Sequence, residues 1–196
     1  MSVVSANNNS LSAITALPSA VSGGGLNLIS TTTVSSSSSA VNITSGIDST
    51  YKEYIFKFIG IHPASDTVNF QINASIDSGS NYNVTKTTTF FLAYHTEDDS
   101  GTALQYYTGR DLAQSTAFQP LASSVGNDAD QNVGGLLKIF DPSSTTFVKH
   151  FIGEFQSIAH SNRTNNQYSA GYFNTTTAIT RVRFKFSGGD IDSGLI

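Results

Sequence analysis

The chain has 196 residues, a formal net charge of −4 and no cysteine, and only 12% of its residues are charged. The negative balance argues against nucleic-acid binding, which needs a basic face, and the lack of cysteine excludes disulfides and thiolate chemistry. No stretch approaches the ~18 apolar residues of a membrane-spanning helix, and the start of the chain does not read as a signal peptide.

Residues 1–25 are predicted to form an extended N-terminal arm. The first 47 residues carry no Asp, Glu, Lys or Arg, and residues 11–17 mix apolar side chains with Ser and Thr. Such a segment cannot bury enough surface to fold alone, whereas its mixture of apolar and small polar residues suits strand addition to another chain. A plain disordered tail is the alternative. The predicted partner-binding residues of the arm are Leu11, Ile14, Leu17 and Pro18.

Residues 26–196 are predicted to form one β-sandwich domain. Apolar and polar side chains alternate over residues 68–76 and 181–186, which places one row in the core and one outside. Residues 54–59 carry large apolar side chains on both alternating rows, so this strand is expected to be covered on both faces. The Ser- and Thr-rich residues 30–39 are interpreted as two short strands around a turn, in preference to a linker.

Turn signals at short spacing separate these runs, for example at residues 77–81 and 187–190. Residues 140–147 are predicted to be the loop between two antiparallel strands. The only helical turn that the sequence indicates is at residues 111–114. Many short strands with frequent turns indicate an all-β fold, and we expect an antiparallel, jelly-roll-like β-sandwich.

The polar residues form no recognisable catalytic or metal-binding motif. The four histidines lack the spacing of a zinc site. The loop with Asp128 and Asp130 lacks the Gly and terminal Glu of an EF-hand, so a solvated loop is the preferred interpretation. There is no GxSxG, no Walker loop and no evident carboxylate pair. We therefore predict no catalytic residue, no metal and no cofactor.

Tyrosines near predicted strand ends and loops are candidates for an interface or a ligand site. They could line a carbohydrate or partner site, or they could seal subunit contacts, where Tyr is enriched. Packing in the core or at an interface is the preferred interpretation. These residues are Tyr94, Tyr106, Tyr107, Tyr168 and Tyr172.

Several segments resemble a family of small virion structural proteins, decoration- or fibre-like, from marine tailed bacteriophages, including cyanophages. The matching segments are LSAITALPS (11–19), GLNLISTTT (25–33), TSGIDSTYKEYIF (44–56), SAGYFNT (169–175) and SGGDIDSG (187–194). The resemblance implies a place on the outer surface of the virion, with the major capsid protein or tail proteins as partners. Relatives continue past the position of Ile196, so the native chain is expected to extend further. No binding residue of the family transfers.

The resulting expectation is a non-enzymatic virion structural protein, most simply a capsid decoration protein anchored by its arm. We expect a homotrimer that binds neither nucleic acid nor membrane. The alternative is a tail-fibre or receptor-binding protein whose tyrosine-bearing loops attach to a glycan or protein on the host surface. A depolymerase acting on surface glycans is a third hypothesis, and it requires a carboxylate pair in a groove.

Overall fold

A computed structural model of the chain describes residues 25–196, and within this range it contains antiparallel β-strands and no helix. The all-β prediction is therefore confirmed. The strands are β1 (Thr33–Val34), β2 (Val41–Ile43), β3 (Glu53–Pro63), β4 (Val68–Ser75), β5 (Lys86–Thr96), β6 (Thr102–Tyr106), β7 (Gln119–Val125), β8 (Val133–Phe140), β9 (Lys149–Ala159), β10 (Arg163–Phe173), β11 (Arg181–Phe186) and β12 (Ile191–Leu195).

The strands form one curled sheet, a half-barrel with two walls. The long wall has the order β1–β12–β3–β8–β9–β10–β5–β6, and the short wall has the order β7–β4–β11–β2. In the strand ladder, the pair Val125–Ala159 connects β7 of the short wall to β9 of the long wall. The sheet bends at this junction, so the inner faces of the two walls meet.

Phenylalanines from both walls meet in the core. Phe58 of β3 lies 5.3 Å from Phe70 of β4 and 5.0 Å from Phe184 of β11, measured between ring centroids, and both contacts are edge-on. Phe155 of β9 lies 5.4 Å from Phe58. Each ring is almost fully buried, which removes a large apolar area from water and adds favourable ring contacts.

Period-two alternation placed most of the buried apolar row correctly, but it failed at the end of β4, where Ile76 is 41% exposed and Asn73 and Ser75 of the polar row are buried. In β11 the side chains of Val182, Phe184 and Phe186 are buried, as predicted, and in β4 the same holds for the row from Val68 to Ala74. The expectation that residues 54–59 are covered on both faces is wrong. Ile59 is 59% exposed, because none of the strands within residues 25–196 packs on the outer face of β3.

Two local predictions had opposite outcomes. The loop at residues 140–147 does join antiparallel strands, β8 and β9. The predicted helical turn at 111–114 is wrong, because its backbone bonds to β5: the N–H of Leu112 donates to Thr88 Oγ1 at 2.8 Å, and the N–H of Thr88 donates to Leu112 O at 2.9 Å.

Two edge strands of the half-barrel lie in and just after the Ser- and Thr-rich residues 30–39. β1 within this run pairs with β12, and β2 just after it pairs with β11. Two short strands are therefore present, as predicted, but they do not pair with each other. The two edges leave an opening in the half-barrel between β2 and β3.

Candidate functional site

The outer face of the long wall carries an open row of large side chains that lie in register across six strands. Each residue of the row is the direct cross-strand partner of the next. We call this set the outer row; in strand order β3, β8, β9, β10, β5, β6 it consists of Lys57, Leu136, Glu154, Tyr168, Phe91 and Tyr106.

A stacked aromatic pair stands at the middle of the outer row. The rings of Phe91 and Tyr168 have centroids 5.0 Å apart and planes 12° apart. The hydroxyl of Tyr168 donates to Glu154 Oε1 at 3.1 Å and accepts from Asn166 Nδ2 at 3.0 Å. These bonds hold the tyrosine in one orientation, so a partner that binds here meets a fixed aromatic surface with a small ordering cost.

Apolar side chains extend this surface beyond the row. Leu104 of β6 is 75% exposed and Ile152 of β9 is 52% exposed. Both lie on the same face of the sheet as Phe91, because their cross-strand partners Ala93 and Ala170 stand two residues from Phe91 and Tyr168 along β5 and β10. A partly apolar exposed face of this kind is typical of an interaction surface.

Two further tyrosines that the sequence singled out lie on this outer face. The hydroxyl of Tyr106 donates to a carboxylate oxygen of Asp111, and this bond raises the pKa of Tyr106 above its ordinary value. The hydroxyl of Tyr172 accepts from Gln114 Nε2 at 3.2 Å, and its ring lies 6.2 Å from that of His150. Amide, imidazole and hydroxyl groups therefore border the aromatic surface.

The other two candidate tyrosines, Tyr94 and Tyr107, lie on the inner side of the sheet. The guanidinium of Arg163 stands 4.6 Å from the Tyr94 ring centroid, and that of Arg110 stands 5.4 Å from the Tyr107 ring centroid. Tyr106 and Tyr107 are adjacent in sequence and therefore point to opposite faces. The structure brings Tyr106, Tyr168 and Tyr172 to one surface and separates Tyr94 and Tyr107 from it.

Two buried lysines lie under the end of the long wall. Lys86 and Lys149 are the two cross-strand partners of Phe173, and both are fully buried. Their amines donate to backbone carbonyls, Lys86 to Ala117 at 2.6 Å and Lys149 to Thr175 at 3.0 Å. Burial lowers the pKa of Lys86 to about 7. Since neither amine reaches solvent, these lysines organise the loops that cover them.

An apolar groove of about 620 Å³ lies at the opening of the half-barrel. We call it the N-terminal groove; its walls are the segment 25–31, the chain after β2 and one end of β3 with the end of β12. Ile43, Phe56 and Ile196 pack against the core from this side. The segment 25–31 is fixed in place partly by Ile29, whose side chain occupies the space left open by Gly46.

The predicted binding residues of the arm, Leu11, Ile14, Leu17 and Pro18, lie outside the described residues. Among residues 25–196, no group of three or more His, Cys, Asp or Glu side chains is arranged to hold a metal ion. The acidic loop is organised instead by Gln131, whose amide accepts from the N–H of Asp128 at 3.2 Å and donates to Asn162 Oδ1 at 3.1 Å.

Sequence reasoning missed the apolar members of the outer face and the groove. Phe91 had a usable signal, because it follows Phe90 directly and two adjacent residues of a strand point to opposite faces. Leu104 and Ile152 had no usable signal, since the sequence alone does not distinguish an exposed aliphatic residue from a buried one. The groove depends on segments distant in the chain, so no local pattern marks it.

Comparison with protein-family models, with curated proteins and with solved structures finds no match to this chain. Within residues 25–196, the structure contains no helix of the length and apolar character needed to cross a membrane.

Proposed function

We propose that the protein is a non-enzymatic structural protein of a tailed-phage virion, and that it works by burying its exposed faces against neighbouring proteins. The outer face of the long wall is the observation that carries this proposal. Leu104, Ile152 and Phe91 leave apolar area in water on the outer face of the sheet, and covering that area would stabilise a contact by roughly 25 cal/mol for each Å² buried.

The placement we propose is on the capsid, as a homotrimeric decoration protein anchored by residues 1–25. A charge-free arm with Leu11, Ile14 and Leu17 loses little solvation when it is buried, and several arms in one oligomer would add avidity. The finer architecture that we propose is a jelly-roll-like β-sandwich. The Phe58, Phe70 and Phe184 contacts between the two walls support it.

The arm can be tested by replacing Leu11, Ile14 and Leu17 together with Ser in the full chain. The expected result is an unchanged near-UV and far-UV circular dichroism spectrum and at least a tenfold loss of occupancy on capsids, since each buried side chain contributes about 1.5–3 kcal/mol. Replacing Ser12 and Thr15 with Ala is the matched control. Unchanged occupancy of the triple variant, or of a chain that lacks residues 1–24, would rule out the arm as the anchor.

A tail-fibre protein that binds a host glycan is the second candidate, and the stacked pair Phe91 and Tyr168 favours it. Sugar rings pack on aromatic faces, and the amides of Asn166 and Gln156 and the hydroxyl of Tyr168 border this one. Replacing Phe91 and Tyr168 with Ala should abolish binding to host polysaccharide in a pull-down. The control is Tyr51→Ala, an exposed tyrosine of the N-terminal groove.

The number of copies on purified virions separates the two candidates. Decoration of a capsid implies hundreds of copies, whereas a fibre implies tens at most. Quantitative mass spectrometry of washed particles, with the major capsid protein as internal standard, measures this number. Absence of the protein from washed particles would contradict both candidates.

A further inference from the structure

We propose that the N-terminal groove is the binding site for residues 11–17 of the same chain. This inference concerns the isolated protein and does not rest on a role in a virion. Attachment to a particle would transfer the same residues from the groove to the neighbouring protein.

The lining of the groove indicates an apolar, uncharged occupant. Leu26 and Leu28 on one wall are 74% and 85% exposed, and Phe56 and Ile196 continue the apolar surface toward the core. The volume of about 620 Å³ lies within the range of ~300–1,000 Å³ that encloses a ligand of several side chains. Leu26 and Leu28 therefore leave apolar area in contact with water, and an occupant of the groove would cover that area.

Residues 11–17 have the matching chemistry. They place Leu11, Ile14 and Leu17 among small residues and Thr, and no charge precedes Asp48, so their burial carries no cost of desolvating an ion. Ile43, the last residue of β2, lines the groove and packs against the core, so an apolar occupant would meet an apolar side chain there.

The length of the connection favours the same chain as the source. Gly25 lines the groove, and seven residues, 18–24, join it to Leu17. Seven residues span at most about 25 Å, and Gly23, Gly24 and Gly25 permit the reversal of direction. A connection of only seven residues holds the segment at a high effective concentration near the groove, which favours it over a segment from a second copy.

Disulfide trapping in the full chain tests the proposal, and the lack of native cysteine makes the result simple to interpret. Ile14→Cys is combined with Ser45→Cys, at an exposed residue of the groove wall. The matched control combines Ile14→Cys with Ser161→Cys, at an exposed turn residue outside the groove. We expect an intramolecular 14–45 disulfide, identified by peptide mapping, at about ten times the yield of the 14–161 pair.

Two outcomes would overturn the proposal. Disulfide-linked dimers in place of intramolecular bonds would assign the groove to a second copy, and equal yields for the two cysteine pairs would show no binding of residues 11–17 at the groove.

A second measurement needs no cysteine. It compares the isoleucine-methyl NMR spectrum of the wild type with that of the variant in which Leu11, Ile14 and Leu17 are replaced with Ser. Between the two spectra, the methyl signals of Ile43 and Ile47 should shift, and that of Ile72 in the core should not.

Discussion

At the scale of single residues, Lys86 is the least expected feature of the structure. Nothing in the pattern around it marks it as buried, because a charged residue in a Thr-rich strand reads as solvent-facing. It is buried because the turn after β6 and the chain leading to β7 cover this end of β5, and there the carbonyl of Ala117 accepts a hydrogen bond from its amine.

The lowered pKa of Lys86 predicts that the protein becomes more stable as pH rises. Its amine has a pKa of about 7 in the folded chain and 10.5 as the ordinary value, so between these values the unfolded state binds more protons. The free energy of unfolding should rise from pH 7 to pH 9.5, on the order of 3 kcal/mol. Urea denaturation at a series of pH values measures this rise.

Lys86→Met is the variant that tests this assignment, because it keeps the buried stem and removes the amine. Its free energy of unfolding should depend on pH much less over the same interval. A smaller rise is expected to remain, because burial also lowers the pKa of Lys149, although Asp141 opposes that shift. An unchanged pH dependence in Lys86→Met would contradict the assignment to Lys86.

At the scale of strands, Gly135 of β8 allows two phenylalanines to meet across it. Its cross-strand partners are Phe58 and Phe155, whose rings lie 5.4 Å apart. A Cβ at Gly135 would stand 2.6 Å from Cδ1 of Phe155 and 2.5 Å from the carbonyl oxygen of Glu154. The strand therefore needs a residue without a side chain at this position.

Gly135→Ala should destabilise the protein by about 1–3 kcal/mol, the usual cost of overpacking a core. The adjacent Gly134→Ala is the control, since the nearest atom to its added Cβ is the carbonyl oxygen of Phe58 at 3.8 Å. Denaturant melts of both variants give the comparison. Equal stabilities of the two variants would show that the core relaxes around the extra methyl group.

The same strands show how far sequence reasoning reaches. Val182, Phe184 and Phe186 were placed in the core because a period of two is a local property of the chain. Ile59 and Phe91 could not be placed, because their exposure depends on which faces of the sheet the rest of the chain covers. The three tyrosines of the outer face were identified as candidates, but their separation from Tyr94 and Tyr107 needed the register of β5, β6 and β10.

At the scale of the whole molecule, the apolar residues of the outer face contribute little to the fold. Leu104 is 75% exposed and Ile152 is 52% exposed, so a polar replacement removes little buried area at Leu104 and much less at Ile152 than it would at a core position. Substitutions at such exposed positions usually change stability by less than about 0.5 kcal/mol. If these residues serve attachment, replacing them should weaken binding to the partner and should leave the free energy of unfolding nearly unchanged.

The double variant Leu104→Ser and Ile152→Ser should therefore unfold at nearly the wild-type denaturant concentration and should bind partner particles more weakly. Co-sedimentation with particles that lack the protein measures the binding. Gln156→Ser, on the same face, is the polar control. A double variant that binds as well as the wild type would remove the outer face from the proposed contact.

The ladder junction at Val125–Ala159 has a mechanical consequence. β9 and β10 are paired over eleven residues, whereas the two walls are joined in the ladder by this one pair, with the N–H of His160 donating to the carbonyl of Ser124 close by. A load that pulls the walls apart would break these few backbone bonds in succession and would separate the phenylalanines that pack between the walls, while a load along β9 would shear many backbone bonds at once. Among the backbone ladders, the one at this corner should open first under tension.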